Sequence, residues 1–158
     1  MNKVEKFDIF LKNIMTAGDL VALVDDLNEI NKLLYITGGQ KLSQRVKGKV
    51  SEDVYEAVSI LEKEGVLPAE PSKAEDYLGE LLVYLQKIPR VALTIAFEPS
   101  TEFIRQIYDW FEKISPKKVV LDLRTRREIV AGAIIEYNGK YKDYSKTALM
   151  EEVLSGLS

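Results

Sequence analysis

The chain has 158 residues, 46% of them hydrophobic and 30% charged, with a net charge of −3. This is the composition of a soluble globular protein of one or two small domains, with no bulk attraction to nucleic acid or anionic lipid. It contains no cysteine and no histidine, which excludes disulfides and thiolate nucleophiles and removes the commonest general base and transition-metal ligand. The N-terminal MNKVEKFDIFLKN has no long apolar core, and no apolar run approaches the roughly 18 residues of a membrane span. Neither a signal peptide nor direct membrane insertion is expected.

The first part of the chain has helical periodicity. Val4, Phe7, Phe10, Leu11 and Ile14 recur at spacings of three and four, a stripe on one helix face. Thr16 can cap a second helix with Asp19 in its first turn, and Leu20, Leu23, Val24, Leu27, Ile30, Leu33 and Leu34 line its inner face. Gly38-Gly39 marks its end. Gln40 to Lys49 is polar and basic and reads as a loop or a short, poor helix. Ser51 opens a third helix, with Glu52 and Asp53 at its positive end and Val54, Val58 and Leu61 inward; Gly65 and Pro68 stop it. Ser72 and Glu75 have capping-box spacing before a fourth helix carrying Tyr77, Leu78, Leu81, Leu82 and Leu85.

The pattern changes at Arg90. Val91 to Phe97 is a β-type run, Pro99 breaks it, and Ser100 caps a helix on which Phe103, Ile104, Ile107, Trp110, Phe111 and Ile114 repeat. A strand follows from Lys118. Strand, helix, strand at this length predicts a parallel pair joined by a crossover. Ile129 to Tyr137 is another β-run. Asn138-Gly139 then separates it from Lys140-Tyr141-Lys142, the spacing of a two-residue hairpin turn that needs positive φ. Ser145 can cap a last helix carrying Leu149, Met150, Val153 and Leu154. The expectation is an α+β chain: a helical bundle over 1–89 and a small mixed α/β domain over 90–158.

Chemistry-bearing groups are sparse. Asp25-Asp26, Glu151-Glu152 and the Glu98, Glu102, Asp109 group fall on solvated helix faces or helix starts, where carboxylates serve dipoles and solubility. Gly48-Lys49 fails as a phosphate loop, because Ser43 stands where the earlier glycine belongs and Val50 where a Ser or Thr belongs. Asp143, Ser145 and Lys146 fit a helix cap better than a nucleophile. Arg124, Arg126 and Arg127, with Lys117 and Lys118, form a basic cluster. In an acidic chain it suits a solvated strand end or an acidic partner helix better than nucleic acid.

The order of these elements resembles the delta subunit of F-type ATP synthase, the family of the oligomycin-sensitivity-conferring protein. The resemblance rests on Leu121-Asp122-Leu123, Ile129-Val130-Ala131-Gly132, Ala133-Ile134-Ile135, the Asn138-Gly139 turn and Asp143-Tyr144-Ser145, in that order. Leu61 to Leu67, LEKEGVL, resembles the family's helix end before its last N-terminal helix. The likeness covers residues 50–158 and, more loosely, 1–35. It departs where Ala131 replaces the first glycine of a usual pair and where the N-terminal domain is shortened.

The resemblance implies a non-catalytic stator subunit, peripheral on the cytoplasmic face of the energy-transducing membrane, with no cofactor and no metal. Its implied partners are the N-terminal segments of the alpha subunits of the catalytic head and the C-terminal end of the stalk's b subunit. Carried over by position, Phe7, Phe10, Leu11, Ile14, Val54 and Val58 would face the head. Ile134, Tyr137, Tyr141, Leu149, Val153 and Leu154 would face the stalk. Two other readings stay open: a stand-alone adaptor of the same fold, and a small nucleotide-binding module on the C-terminal α/β unit, since ligands bind at strand ends in such folds.

Overall fold

The computed structural model describes residues 5–127, 133–137 and 139–144, the last five of these by their backbone. The fold is α+β. It divides into two compact units: Met1–Ile14 with Leu20–Lys87, and Met15–Asp19 with Ile88–Ser158. A single cut between residues 89 and 90 does not describe this division, because Met15–Asp19 groups with the C-terminal part.

The first unit is helical. α1 (Asp8–Leu11) is a single turn; α2 (Ala17–Leu33) begins in the other unit's short segment; α3 (Leu42–Val46), α4 (Glu52–Lys63) and α5 (Pro71–Gln86) follow. Apolar spacing explains the packing. Leu20, Leu23, Leu27, Ile30 and Leu33 form one stripe on α2, Val54, Ala57, Val58 and Leu61 another on α4, and Ala74, Tyr77, Leu78, Leu81 and Leu85 a third on α5; all are buried. Full burial of a Leu or Ile side chain contributes about 1.5–3 kcal/mol. α1 and α3 both pack on α4.

The helix ends show which local signals act. Thr16 Oγ1 accepts from the Asp19 amide at 3.1 Å, while Asp19 Oδ2 accepts from the Met15 and Thr16 amides at 3.0 Å each. This reciprocal arrangement satisfies donors that a bare helix start leaves orphaned. At the other end of α2, the Arg45 guanidinium reaches back to the carbonyls of Leu33 and Leu34 at 2.8 and 3.0 Å. Gly65, at φ +69°, lets Val66 and Leu67 both donate to the Leu61 carbonyl and close α4.

Ser51 opens α4 and Ser72 does not open α5, and neither serine hydroxyl makes a cap bond. The Ser51 amide donates instead to Asp26 Oδ2 at 3.1 Å. Ser72 lies inside α5, which Pro71 opens; its hydroxyl bonds the Glu70 carboxylate at 3.1 Å, and Glu75 accepts from the Tyr35 hydroxyl. Proline's fixed φ sets the first helical position two residues earlier than a Ser72 cap requires.

The second unit holds β1 (Arg90–Ile95), α6 (Thr101–Ile114), β2 (Val120–Thr125), β3 (Ala133–Tyr137) and β4 (Lys140–Tyr144) in one sheet of order β2-β1-β3-β4. β1 and β2 are parallel, in register Val91↔Leu121 and Leu93↔Leu123. β3 runs antiparallel to β1 and closes on β4 through Tyr137↔Lys140, with Gly139 at φ +71°. β1 ends two residues before the expected Phe97. Ser100 Oγ accepts from the Phe103 amide at 3.1 Å and starts α6. Alternate residues Val91, Leu93 and Ile95 pack with Leu121, Ala133, Ile107, Tyr108 and Phe111 in the core of this unit. Ser145 and the expected last helix lie outside the described residues. Among the described residues no helix is long and apolar enough to cross a membrane.

Candidate docking surfaces

The residues expected to face a catalytic head lie mostly inside the first unit. Phe7, Phe10, Leu11, Val54 and Val58 are buried, between 0% and 5% exposed, and Ile14 is half-buried. Five of the six are therefore core residues rather than surface anchors. The spacing that suggested a docking stripe is the spacing of a packed face.

What surrounds Phe7 is a junction between α1 and α5. Its ring lies 5.6 Å from that of Tyr77, edge-on at 72°, and 5.6 Å from that of Tyr84. The Tyr77 hydroxyl donates to the Lys6 carbonyl at 2.8 Å, and Lys6 Nζ reaches Glu80 Oε2 at 2.9 Å while standing 4.9 Å over the Tyr77 ring. Burial, reinforced by the Glu80 charge, pushes the Tyr77 phenol up to about 12. The same cause, with Asp8 adding, raises Tyr84. Glu80 and Tyr84, one turn apart on α5, both join this junction, and Val83 precedes Tyr84 in the chain. Val83 is 51% exposed. Val21 on α2 and Ile60 on α4 are the other helical apolar side chains of this unit left substantially in solvent among the described residues. Sequence periodicity did not single these out, because an isolated exposed Val carries no pattern.

Of the residues expected to face a stalk, the described ones lie in the second unit. Ile134 and Tyr137 are half-buried on β3. The Tyr137 ring packs 6.5 Å from Phe111, against the core. Tyr141 is in β4 opposite Glu136. Leu149, Val153 and Leu154 lie outside the described residues.

Other sequence-read groups separate in space. Lys117 and Lys118 precede β2, while Arg124 lies near its far end and Arg126 and Arg127 follow it. Eight extended residues at about 3.3 Å each put roughly 26 Å between Lys118 and Arg126. Lys118 Nζ bonds the Tyr108 hydroxyl, which itself donates to Glu112 at 3.2 Å. Burial first, then Glu112, raises the Tyr108 phenol. Glu98, Glu102 and Asp109 are exposed, and no group of three metal-ligating side chains exists among the described residues. A cavity of about 380 Å³ opens in the helical unit beside Leu34, Leu42, Arg45, Glu62 and Pro68. Lys41, Arg45 and Glu62 are its charged lining residues, and two of them already have bonds: Arg45 holds the carbonyls that end α2, and Glu62 accepts from the Ser43 amide and hydroxyl at 3.1 and 2.8 Å.

Comparison with protein-family models gives no match, and comparison with curated proteins gives none either.

Proposed function

We propose that the chain is a non-catalytic stator subunit of an F-type ATP synthase, joining the alpha subunits of the catalytic head to the b-subunit stalk at the cytoplasmic face of the membrane. The observation that carries this reading is the order of elements. Helices α1 to α5 come first, then the parallel β1–α6–β2 unit, then the β3–β4 hairpin, which ends at Tyr144 in the Asp143-Tyr144-Ser145 sequence. This is the order on which the resemblance to the delta subunit rests.

A stator does its work by holding two partners together under torque, so its chemistry is that of interfaces: amphipathic helices laid into grooves, anchored by a few buried apolar side chains. The head-facing anchors belong on the surface beside the Phe7–Tyr77–Tyr84 junction, with Val83 at its edge, since Phe7 and Phe10 are themselves covered. Titration calorimetry tests the reading with two peptides, one from the N-terminus of the organism's alpha chain and one from the C-terminus of its stalk b chain. Binding of both is expected; the absence of binding to either would sink it.

A further inference from the structure

We propose a second docking surface, independent of the stator reading, at the end of the sheet where β1 and β2 finish: a site for an acidic protein segment carrying an apolar anchor. The Arg126 amide continues the parallel ladder by donating to the Ile95 carbonyl at 2.8 Å, and Thr125 Oγ1 reaches Glu98 at 3.5 Å. These two bonds set the Thr125–Arg126 backbone directly beside the Ile95–Glu98 turn. Arg124, Arg126 and Arg127 are thereby brought to the same end of the sheet as Phe97, all of them exposed. Phe97 is 45% exposed and is held edge-on to Phe103, ring centres 5.3 Å apart at 73°. It is a fixed aromatic platform rather than a loose side chain.

Among the described residues little of the charge on this surface is consumed. Arg124 pairs with Asp122 at 2.9 Å, but no ion pair of Arg126 or Arg127 occurs among the described residues. Arginine presents a planar fork that binds carboxylates two-pronged, and arginine beside an aromatic ring is the composition of interface hot spots. The overall charge of −3 does not cancel the local field, because charges beyond about 10 Å are largely screened at 0.1 M salt. A carboxylate partner fits better than a phosphate one. Three cations confined to one strand end make a short patch, where a nucleic-acid backbone wants an extended basic track.

The test is a selection of short random displayed peptides on the full chain, counter-selected against the double variant R126E/R127E. Recovered peptides should be rich in Asp and Glu around an aromatic or aliphatic residue. Their affinity should fall at least about tenfold in R126E/R127E, fall in Phe97→Ala, and weaken between about 50 and 300 mM salt as screening dictates. The unfolding midpoints of both variants should stay near wild type, as for other surface substitutions. The proposal is overturned by no peptide that separates wild type from the double variant, by recovered peptides without carboxylates, or by binding unchanged in both variants. Arginine-dependent binding of a thymidine oligonucleotide, or of phosphatidylcholine vesicles with about a third phosphatidylserine, tighter than any peptide would overturn it in favour of a phosphate-bearing partner. Because the peptides come from a random library, failure here leaves the titrations with the alpha and b peptides to decide the stator reading separately.

Discussion

Phe7 shows how one residue changes meaning between sequence and structure. At 2% exposure it touches Tyr77 and Tyr84, so removing it leaves a cavity rather than a lost partner. Phe7→Ala should cost about 3–5 kcal/mol, the range for a buried aromatic, read as a shift in the urea midpoint. A partner contact at this junction is better tested at Val83, which is half in solvent. Val83→Asp should leave the midpoint nearly unchanged and weaken binding of the alpha-chain peptide by about tenfold or more, the threshold of an interface hot spot; equal affinity would place the contact elsewhere. Tyr77 carries a pH signature. Its native pKa, raised to about 12, stands above the unfolded value of about 10. The native state therefore holds the phenol proton more tightly. The stabilisation is complete below about pH 10 and is lost as pH climbs through about 12. Tyr77→Phe should flatten the fall in urea midpoint over that window, while starting about 1 kcal/mol lower for the lost bond to the Lys6 carbonyl.

At the scale of elements, what decides a helix start is geometry around the cap, and this sets how far the sequence could be read. Thr16 with Asp19, Ser100 before α6 and Gly139 before β4 all sit where the sequence places them. In each the side chain or backbone angle needed is supplied locally. Ser51 and Ser72 look the same on paper, yet an Asp26 carboxylate from another helix takes the Ser51 amide and Pro71 moves the start of α5. Asp26 is far from Ser51 in sequence and escapes a local window, whereas Pro71 stands immediately before Ser72 and was legible as a helix start. The apolar stripes were legible for the same local reason, but a stripe has one period whether it meets the protein's own core or a partner. Burial alone separates Phe10 from Val83. The basic cluster was likewise adjacent in sequence and is divided by the length of β2. The double role of Asp19, accepting from two amides while its own amide is capped, makes it the most consequential of these caps. Asp19→Ala should destabilise by about 1 kcal/mol, and Asp19→Asn by less, in urea unfolding.

At the scale of the whole molecule, the two units are not two consecutive stretches of chain. The chain passes from one to the other after Ile14, after Asp19 and after Lys87. The short return segment supplies a specific bond: Thr16 bridges Leu121 in parallel, and the Leu121 amide donates to the Met15 carbonyl at 2.9 Å. β2 is an edge strand of the sheet, and Leu121 is fully buried. Without Met15 its amide would be a buried donor with no acceptor, a loss of about 1–3 kcal/mol, and the strand edge would stand open to other chains. A fragment of residues 88–158 is what a consecutive-domain view would have one express. It should be less stable than the same residues in the full chain, and its Leu121 amide should exchange rapidly. Adding a peptide of residues 12–22 should restore protection of that amide at least about tenfold, the equivalent of 1.4 kcal/mol, as read by hydrogen exchange. If the fragment alone protects Leu121 as well as the full chain does, the segment around Met15 is an ornament on the sheet edge, and residue 88 is a true domain start.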